Sequence, residues 1–122
     1  MSQITKVGVS LHANMEANAL LARAVANVSD NTQTTVVTLA ANGVRFITKI
    51  MCSGNDNAKW EVIVDGSTTV ATKRGDGRSV EFDFPIPYQL EASKPMDVKV
   101  THYYTGESLD FEVSIIGFEK TP

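Results

Sequence analysis

The sequence is poor in the residues that cross-link a protein or carry its chemistry. Of its 122 residues, one is cysteine and two are histidine. A single cysteine, Cys52, cannot form a disulfide within the chain, which excludes a disulfide-rich secreted scaffold and favours folding in a reducing cytosol. Because Cys52 lies in the apolar run 50–52, we interpret it as a small buried hydrophobe rather than a reactive thiol.

An excess of charge of one sign is also missing. The formal net charge is -3, and basic and acidic residues are interspersed along the chain. Nucleic-acid-binding proteins carry clustered Lys and Arg, so we expect no nucleic-acid partner and no anionic membrane surface as a partner. No stretch approaches the roughly 18 apolar residues of a membrane helix. Residues 1–15 lack the apolar segment of a signal peptide.

No arrangement of residues predicts a catalytic centre or a metal site. His12 lies near the N-terminus, and His102 follows two alternating valines, where a hydrogen bond to the backbone or to a tyrosine is its simplest role. Structural zinc needs about four Cys or His ligands, more than this chain has. Residues 55–57 and Asp65 offer oxygen atoms but match no calcium loop. We therefore expect no enzyme activity, no cofactor and no metal.

The composition changes near residue 30. Residues 13–28 are rich in Ala and Asn, whereas β-branched and aromatic residues dominate from residue 33 onward. We therefore divide the chain into an N-terminal arm, residues 1–32, and a domain, residues 33–122. Alanine content and apolar residues at helical spacing favour one short helix over residues 14–27. Such a short helix is marginal alone in water, so the arm needs a surface on which to pack.

The beginning of the arm has a different pattern. Val7, Val9 and Leu11 alternate with polar or small residues, which is typical of a short extended segment. We predict that the larger apolar side chains of the arm contact a partner. These residues are Ile4, Val7, Val9, Leu11, Leu20 and Leu21.

From residue 34 onward the pattern is that of short strands joined by turns. Residues 34–39 are β-branched, residues 68–73 are expected to form a strand after the turn at Asp65-Gly66, and apolar and polar residues alternate over 44–52, 58–64, 80–84, 96–104 and 109–118. The pairs Asn42-Gly43 and Asp65-Gly66 are typical of two-residue hairpins. Pro85 and Pro87 are expected to end a strand. Seven or eight strands at roughly ten-residue spacing indicate an all-β protein, an antiparallel sandwich or a barrel.

The alternation also predicts which side chains point inward. Over residues 44–52 we expect one face to carry apolar residues and the other to carry Arg45 and Lys49. The residues expected inward are Val44, Phe46, Ile50, Cys52, Trp60, Val62, Val64, Val98, Val100, His102, Phe111, Val113 and Ile115.

Residues 44–118 resemble small structural proteins of tailed bacteriophages, namely capsid decoration (cement) or head-fibre proteins. The matching segments are residues 47–50 (ITKI), 52–54 (CSG), 58–62 (AKWEV), 65–66 (DG), 71–74 (ATKR), 82–84 (FDF), 98–102 (VKVTH) and 110–112 (DFE). The resemblance implies a jelly-roll-like β-sandwich and a place in the virion, on the capsid surface, after synthesis in the host bacterial cytoplasm.

The same resemblance implies a partner and an assembly. Proteins of this kind bind the major capsid protein on the outside of the head, often as homotrimers, and stabilise the shell. An alternative remains open, a carbohydrate- or receptor-binding module of a phage tail or fibre. Exposed tyrosines would serve that alternative, and the candidates are Tyr88, Tyr103 and Tyr104.

Overall fold

The computed structural model describes residues 19–30, 32–40, 43–54, 58–75, 79–103 and 106–120. These residues form eight strands and no helix, so none of them could cross a membrane as a helix. The strands are β1 (Ala19–Val28), β2 (Thr34–Leu39), β3 (Val44–Gly54), β4 (Ala58–Val64), β5 (Thr68–Gly75), β6 (Ser79–Leu90), β7 (Met96–His102) and β8 (Leu109–Lys120).

The strands make two four-stranded antiparallel sheets, ordered β1-β8-β3-β6 and β2-β7-β4-β5. Along the chain, only β4 and β5 are both consecutive and in the same sheet. Every other connection therefore crosses from one sheet to the other. This is the strand order of a jelly roll, an eight-stranded double sheet. The predicted all-β sandwich is confirmed.

The helix expected over residues 14–27 is wrong wherever the structure describes that stretch. Residues 19–28 are strand β1, which pairs with β8 at every position from Ala19↔Phe118 to Val28↔Leu109. Alanine favours a helix only weakly, and a long pairing with a distant strand outweighs that preference. Residues 19–28 are thus part of a sheet, and residues 14–18 lie outside the described residues.

Strand β3 contains a bulge that changes which side chains face inward. Pairing with β8 shifts between Ile47 and Lys49, so Thr48 is an extra residue against β8, and its hydroxyl donates to the Ile116 carbonyl at 3.0 Å. The inward positions expected for Val44 and Phe46 are wrong, because the bulge reverses the alternation before it. The buried residues along β3 are Arg45, Ile47, Ile50 and Cys52.

Arg45 is a buried charge with partners. Its Nε lies 3.3 Å from the Glu119 carboxylate, and its guanidinium also donates to the Ala40 carbonyl. A buried cation is tolerated in a core when its donors are satisfied in this way.

Strand β6 continues through the prolines that were expected to end it. Asp83 pairs with Lys49 and Tyr88 pairs with Ile47, which leaves residues 84–87 opposite the single residue Thr48. Because β6 is an edge strand, the missing proline N–H groups break no ladder on its outer side. We call residues 84–87 the β6 projection.

One of the two expected hairpins is confirmed. Asp65 and Gly66 both have positive φ, 57° and 73°, as a type I′ turn between β4 and β5 requires. The hairpin expected at Asn42-Gly43 is wrong, because β2 and β3 lie in different sheets. Gly43 does have a positive φ of 83°, and Asn42 lies outside the described residues.

The core fills the space between the sheets and centres on Phe111. The Phe111 ring is fully buried, with the His102 ring stacked 5.5 Å away and the Trp60 ring edge-on at 5.7 Å. The inward positions predicted for β4, β7 and β8 are confirmed. They are Trp60, Val62, Val64, Val98, Val100, His102, Phe111, Val113 and Ile115.

Candidate functional site

The two most reactive side chains in the described residues are both in the core. His102 is buried on β7, and its Nε2 lies 2.8 Å from the Val28 carbonyl oxygen of β1, so the ring links the two sheets. This is the backbone hydrogen bond expected for it. Cys52 is buried, as expected, and burial raises the pKa of its thiol to about 12. A thiol with that pKa stays protonated and is a poor nucleophile near neutral pH.

The described residues do not bring together three or more His, Cys, Asp or Glu side chains that could hold a metal ion. Asp65 lies in the β4–β5 turn with a positive φ, a conformation that Asp tolerates, so the turn explains why an Asp occurs there. Residues 55–57, which could have joined it as ligands, lie outside the described residues, and so does His12.

The aromatic side chains do not form a platform in the part of the chain that is described. Trp60 is in the core, and Tyr88 is half-buried, 6.1 Å from the Phe84 ring. Tyr103 is 37% exposed, but the Arg74 guanidinium lies 4.8 Å from its ring centre and donates to its hydroxyl at 3.2 Å. Tyr104 lies outside the described residues. Sugar-binding surfaces use several exposed rings, and among the described residues Tyr103 is the one exposed aromatic side chain.

The outer face of the β1-β8-β3-β6 sheet is divided into two halves of different chemistry. One half is polar: Arg23 pairs with Glu112 at 2.7 Å, and Lys49 lies 3.7 Å from Glu81 and 3.5 Å from Asp83. These ion pairs join side chains on neighbouring strands of the sheet, and they are solvated. Solvated pairs of this kind add little stability, but they keep this half hydrophilic.

The other half is apolar. Leu21 pairs with Ile116, and the outward-facing rings of Phe46 and Phe118 stack with centres 4.9 Å apart and planes at 16°. Leu21 is 71% exposed, while the other three are half-buried. We call these four residues, on β1, β3 and β8, the apolar end of the outer face.

The β6 projection flanks the apolar end. It lies opposite Thr48, which falls between the Lys49↔Ile116 and Phe46↔Phe118 pairs of the same sheet. Ile86, between two prolines, is 86% exposed, more than the other exposed large hydrophobic side chains of the described residues. Proline fixes φ on either side of it, so the side chain is presented on a stiff segment.

The structure separates the residues that were predicted to contact a partner. Leu21 lies in the apolar end, whereas Leu20 points into the core and is 8% exposed. Ile4, Val7, Val9 and Leu11 lie outside the described residues. The partner contact of all six remains a prediction.

Four residues of this surface were missed by sequence reasoning: Phe46, Ile86, Ile116 and Phe118. Ile116 and Phe118 share a phase along β8 that is opposite to the core residues, so their outward direction was visible. Phe46 was assigned inward because the bulge at Thr48 was not foreseen. For Ile86 the signal was its position between two prolines, where a large apolar residue has no strand neighbour to cover it.

Comparison with known proteins finds the fold but no family. No protein-family model and no curated protein sequence matches the chain. A chain of the cyanophage Pam1 capsid asymmetric unit matches with a TM-score of 0.59 and 12% identity, over 84% of this chain and 86% of that one.

Two further solved structures match similarly. The Yersinia pseudotuberculosis-derived mitogen matches with a TM-score of 0.53 and 4% identity, over 84% of this chain and 90% of that one. A structure of the pilus-like Bacillus endospore appendages matches with a TM-score of 0.50 and 11% identity, over the same shares of 84% and 90%. At such low identities these likenesses show a shared β-sandwich fold.

Proposed function

We propose that the chain is a viral structural protein that decorates the outside of a tailed-phage head by binding its major capsid protein. The observation that carries the proposal is the apolar end, with exposed Leu21 on the edge strand β1 and exposed Ile86 of the β6 projection on the opposite edge of the same sheet. The fold likeness to a chain of a cyanophage capsid asymmetric unit and the resemblance of residues 44–118 to decoration proteins support the same proposal.

The chemistry of the surface suits a protein interface. Interface centres are enriched in aromatic and aliphatic side chains and depleted in charge, and a polar rim surrounds them. The apolar end supplies two aromatic and two aliphatic side chains, and the ion pairs of the polar half supply one side of a rim. Contiguous apolar surface of this kind on a folded domain commonly marks a site of association.

A capsid lattice makes such a small surface sufficient. One apolar end has few contacts to offer, so a single copy binds weakly. If three copies bind as a homotrimer, the second and third contacts form at a high effective concentration, and their free energies combine. The proposed trimer on the capsid surface therefore needs neither a cofactor nor a large interface in each copy.

The proposal is tested with expanded capsids that lack this protein. The full-length chain is incubated with them, and bound protein is measured after sedimentation, alongside the variants Leu21→Ser and Ile86→Ser. Burial of one large aliphatic side chain contributes about 1.5–3 kcal/mol. Each variant should therefore bind roughly 10-fold to 100-fold more weakly if that side chain is buried against the shell.

Val25→Ser is the matched control. Val25 lies on the same strand and the same face as Leu21 and is 59% exposed, but it pairs with Glu112 in the polar half. It should bind like the unchanged protein. Equal binding by all three variants would show that the apolar end is not the contact. A failure of the unchanged protein to bind capsids, or to protect them against heat, would refute the proposed function itself.

A further inference from the structure

Edge strands present unpaired backbone groups, and proteins usually blunt them. Among the described strands, three of the four edges carry such features. β2 has six residues and a register shift at Val36. β5 has a register shift at Val70 and an exposed Lys73. β6 has Pro85, Pro87 and the projection. Each of these features makes it harder for another strand to add.

Strand β1 has none of these features. Its ten residues pair with β8 without a register shift, and they include no proline, no glycine and no lysine. Its one charged side chain, Arg23, is held by Glu112 on the neighbouring strand at 2.7 Å. Within the described ranges, the outer edge of β1 is therefore a regular template for backbone hydrogen bonds.

The inner face of β1 is only partly covered by the other described residues. Ala22, Ala24 and Ala26 point inward and pack against the core, yet they stay half-buried. Small side chains on an edge strand leave the margin of the core partly open to water. A further strand with larger apolar side chains on its inner face would cover that margin.

The chain itself contains a segment with the required pattern. In residues 5–11, Val7, Val9 and Leu11 alternate with Lys6, Gly8 and Ser10. One face of such a strand is apolar and the other is polar or small, as a half-buried edge strand requires. Placed beside β1, its apolar face would lie over the half-buried alanines.

The linker to β1 is long enough for this segment to reach a neighbouring copy. Residues 12–18 separate the alternating segment from β1. Fully extended, the seven residues of this linker span about 23 Å, at roughly 3.3 Å per residue, enough to reach another molecule.

We propose that residues 5–11 of one copy add as a strand to the outer edge of β1 in a second copy. This contact goes beyond capsid binding and does not depend on it, because it joins copies of the chain to one another. An exchange of identical segments from copy to copy is a low-cost route to an oligomer. A head-to-tail exchange closes into a ring, which is how a homotrimer would form.

The test uses the full-length protein and the variant Gly8→Pro/Val9→Pro. Successive N–H groups of a strand point to opposite sides, so two adjacent prolines remove a donor toward β1 in either orientation. Light scattering should give an oligomeric mass for the unchanged protein and a monomeric mass for the variant. Hydrogen exchange of the β1 amides should be at least about 10-fold slower in the unchanged protein, because pairing protects them.

Ala13→Pro/Asn14→Pro is the control, with two prolines in the same arm outside the alternating segment. It should behave like the unchanged protein, and the amides of β7 should stay protected in all three proteins. Equal exchange in β1 for all three would overturn the proposal. A monomeric unchanged protein whose β1 protection is lost in Gly8→Pro/Val9→Pro would also overturn it, because the arm would then pair with its own copy. Capsid binding by the monomeric variant would leave the proposed function standing.

Discussion

Gly54 is a position at which a single added methyl group should destabilise the core. It lies at the end of β3, directly opposite Phe111 of β8. A Cβ added at Gly54 would overlap the Cδ1 and Cε1 atoms of the Phe111 ring. The ring cannot move aside easily, because it is fully buried between His102 and Trp60, whose ring centres lie 5.5 and 5.7 Å away.

The expected cost of Gly54→Ala follows from this geometry. Overpacking of a filled core costs about 1–3 kcal/mol, and the overlap with a fixed ring places this variant at about 2–3 kcal/mol. For a chain of this length, that loss lowers the melting temperature by roughly 8–12 °C. The measurement is urea unfolding at 25 °C, followed by circular dichroism and by the fluorescence of Trp60.

A double-mutant cycle shows whether the ring is the cause. Phe111→Leu alone should destabilise the protein, because it leaves a cavity. In Gly54→Ala/Phe111→Leu the smaller side chain makes room for the methyl group, so the combined loss should be at least about 1 kcal/mol less than the sum. A Gly54→Ala variant within about 0.5 kcal/mol of the unchanged protein, or strictly additive losses, would refute the reasoning.

Two further predictions concern buried polar groups. Burial raises the pKa of the Cys52 thiol from 9.0 to about 12, so the folded protein favours the thiol over the thiolate. This preference stabilises the folded state fully below pH 9, and the stabilisation is lost as the pH rises toward 12. Above pH 9 the free energy of unfolding of the unchanged protein should therefore fall more steeply than that of Cys52→Ala, by up to about 1.4 kcal/mol per pH unit. If the free energies of both proteins fell in parallel with pH, the raised pKa of Cys52 would be contradicted. His102→Phe keeps a ring but leaves the Val28 carbonyl without this donor, at a cost of about 1–3 kcal/mol; if urea unfolding shows no loss, the link between β7 and β1 carries no stability.

The sequence was sufficient to predict which side chains face the core wherever the alternation of a strand is unbroken. β4, β7 and β8 have no irregularity among their core-facing residues, so Trp60, Val98 and Phe111 were assigned inward correctly. The hairpin at Asp65-Gly66 was also readable, because a type I′ turn needs two residues that tolerate positive φ. These features depend on a few neighbouring residues.

The errors all concern features that depend on distant strands. The alternating alanines of β1 fit a strand as well as a helix, and pairing with β8, about ninety residues later in the chain, decides between them. The bulge at Thr48 exists because two neighbouring strands pair on either side of it. Pro85 is tolerated in a strand because β6 is at an edge, and position in a sheet is not a local property.

The candidate surface could be predicted only in part, because it too depends on how distant strands pair. Leu21 was identified as a partner contact from the sequence, and it lies in the apolar end. Its position near Phe46 and Phe118 depends on the register of β3, β8 and β1, which could not be predicted from the sequence. Leu20, its immediate neighbour, turns into the core because adjacent residues of a strand point to opposite faces.

The proposed function places this sandwich on a phage capsid with its apolar end against the shell. Electron microscopy of the virion that carries this chain tests it most directly. We predict density for the eight-stranded sandwich on the outside of the head, with Leu21 and Ile86 in contact with major capsid subunits. A capsid without such density, or one in which the β2-β7-β4-β5 sheet faces the shell instead, would contradict the account.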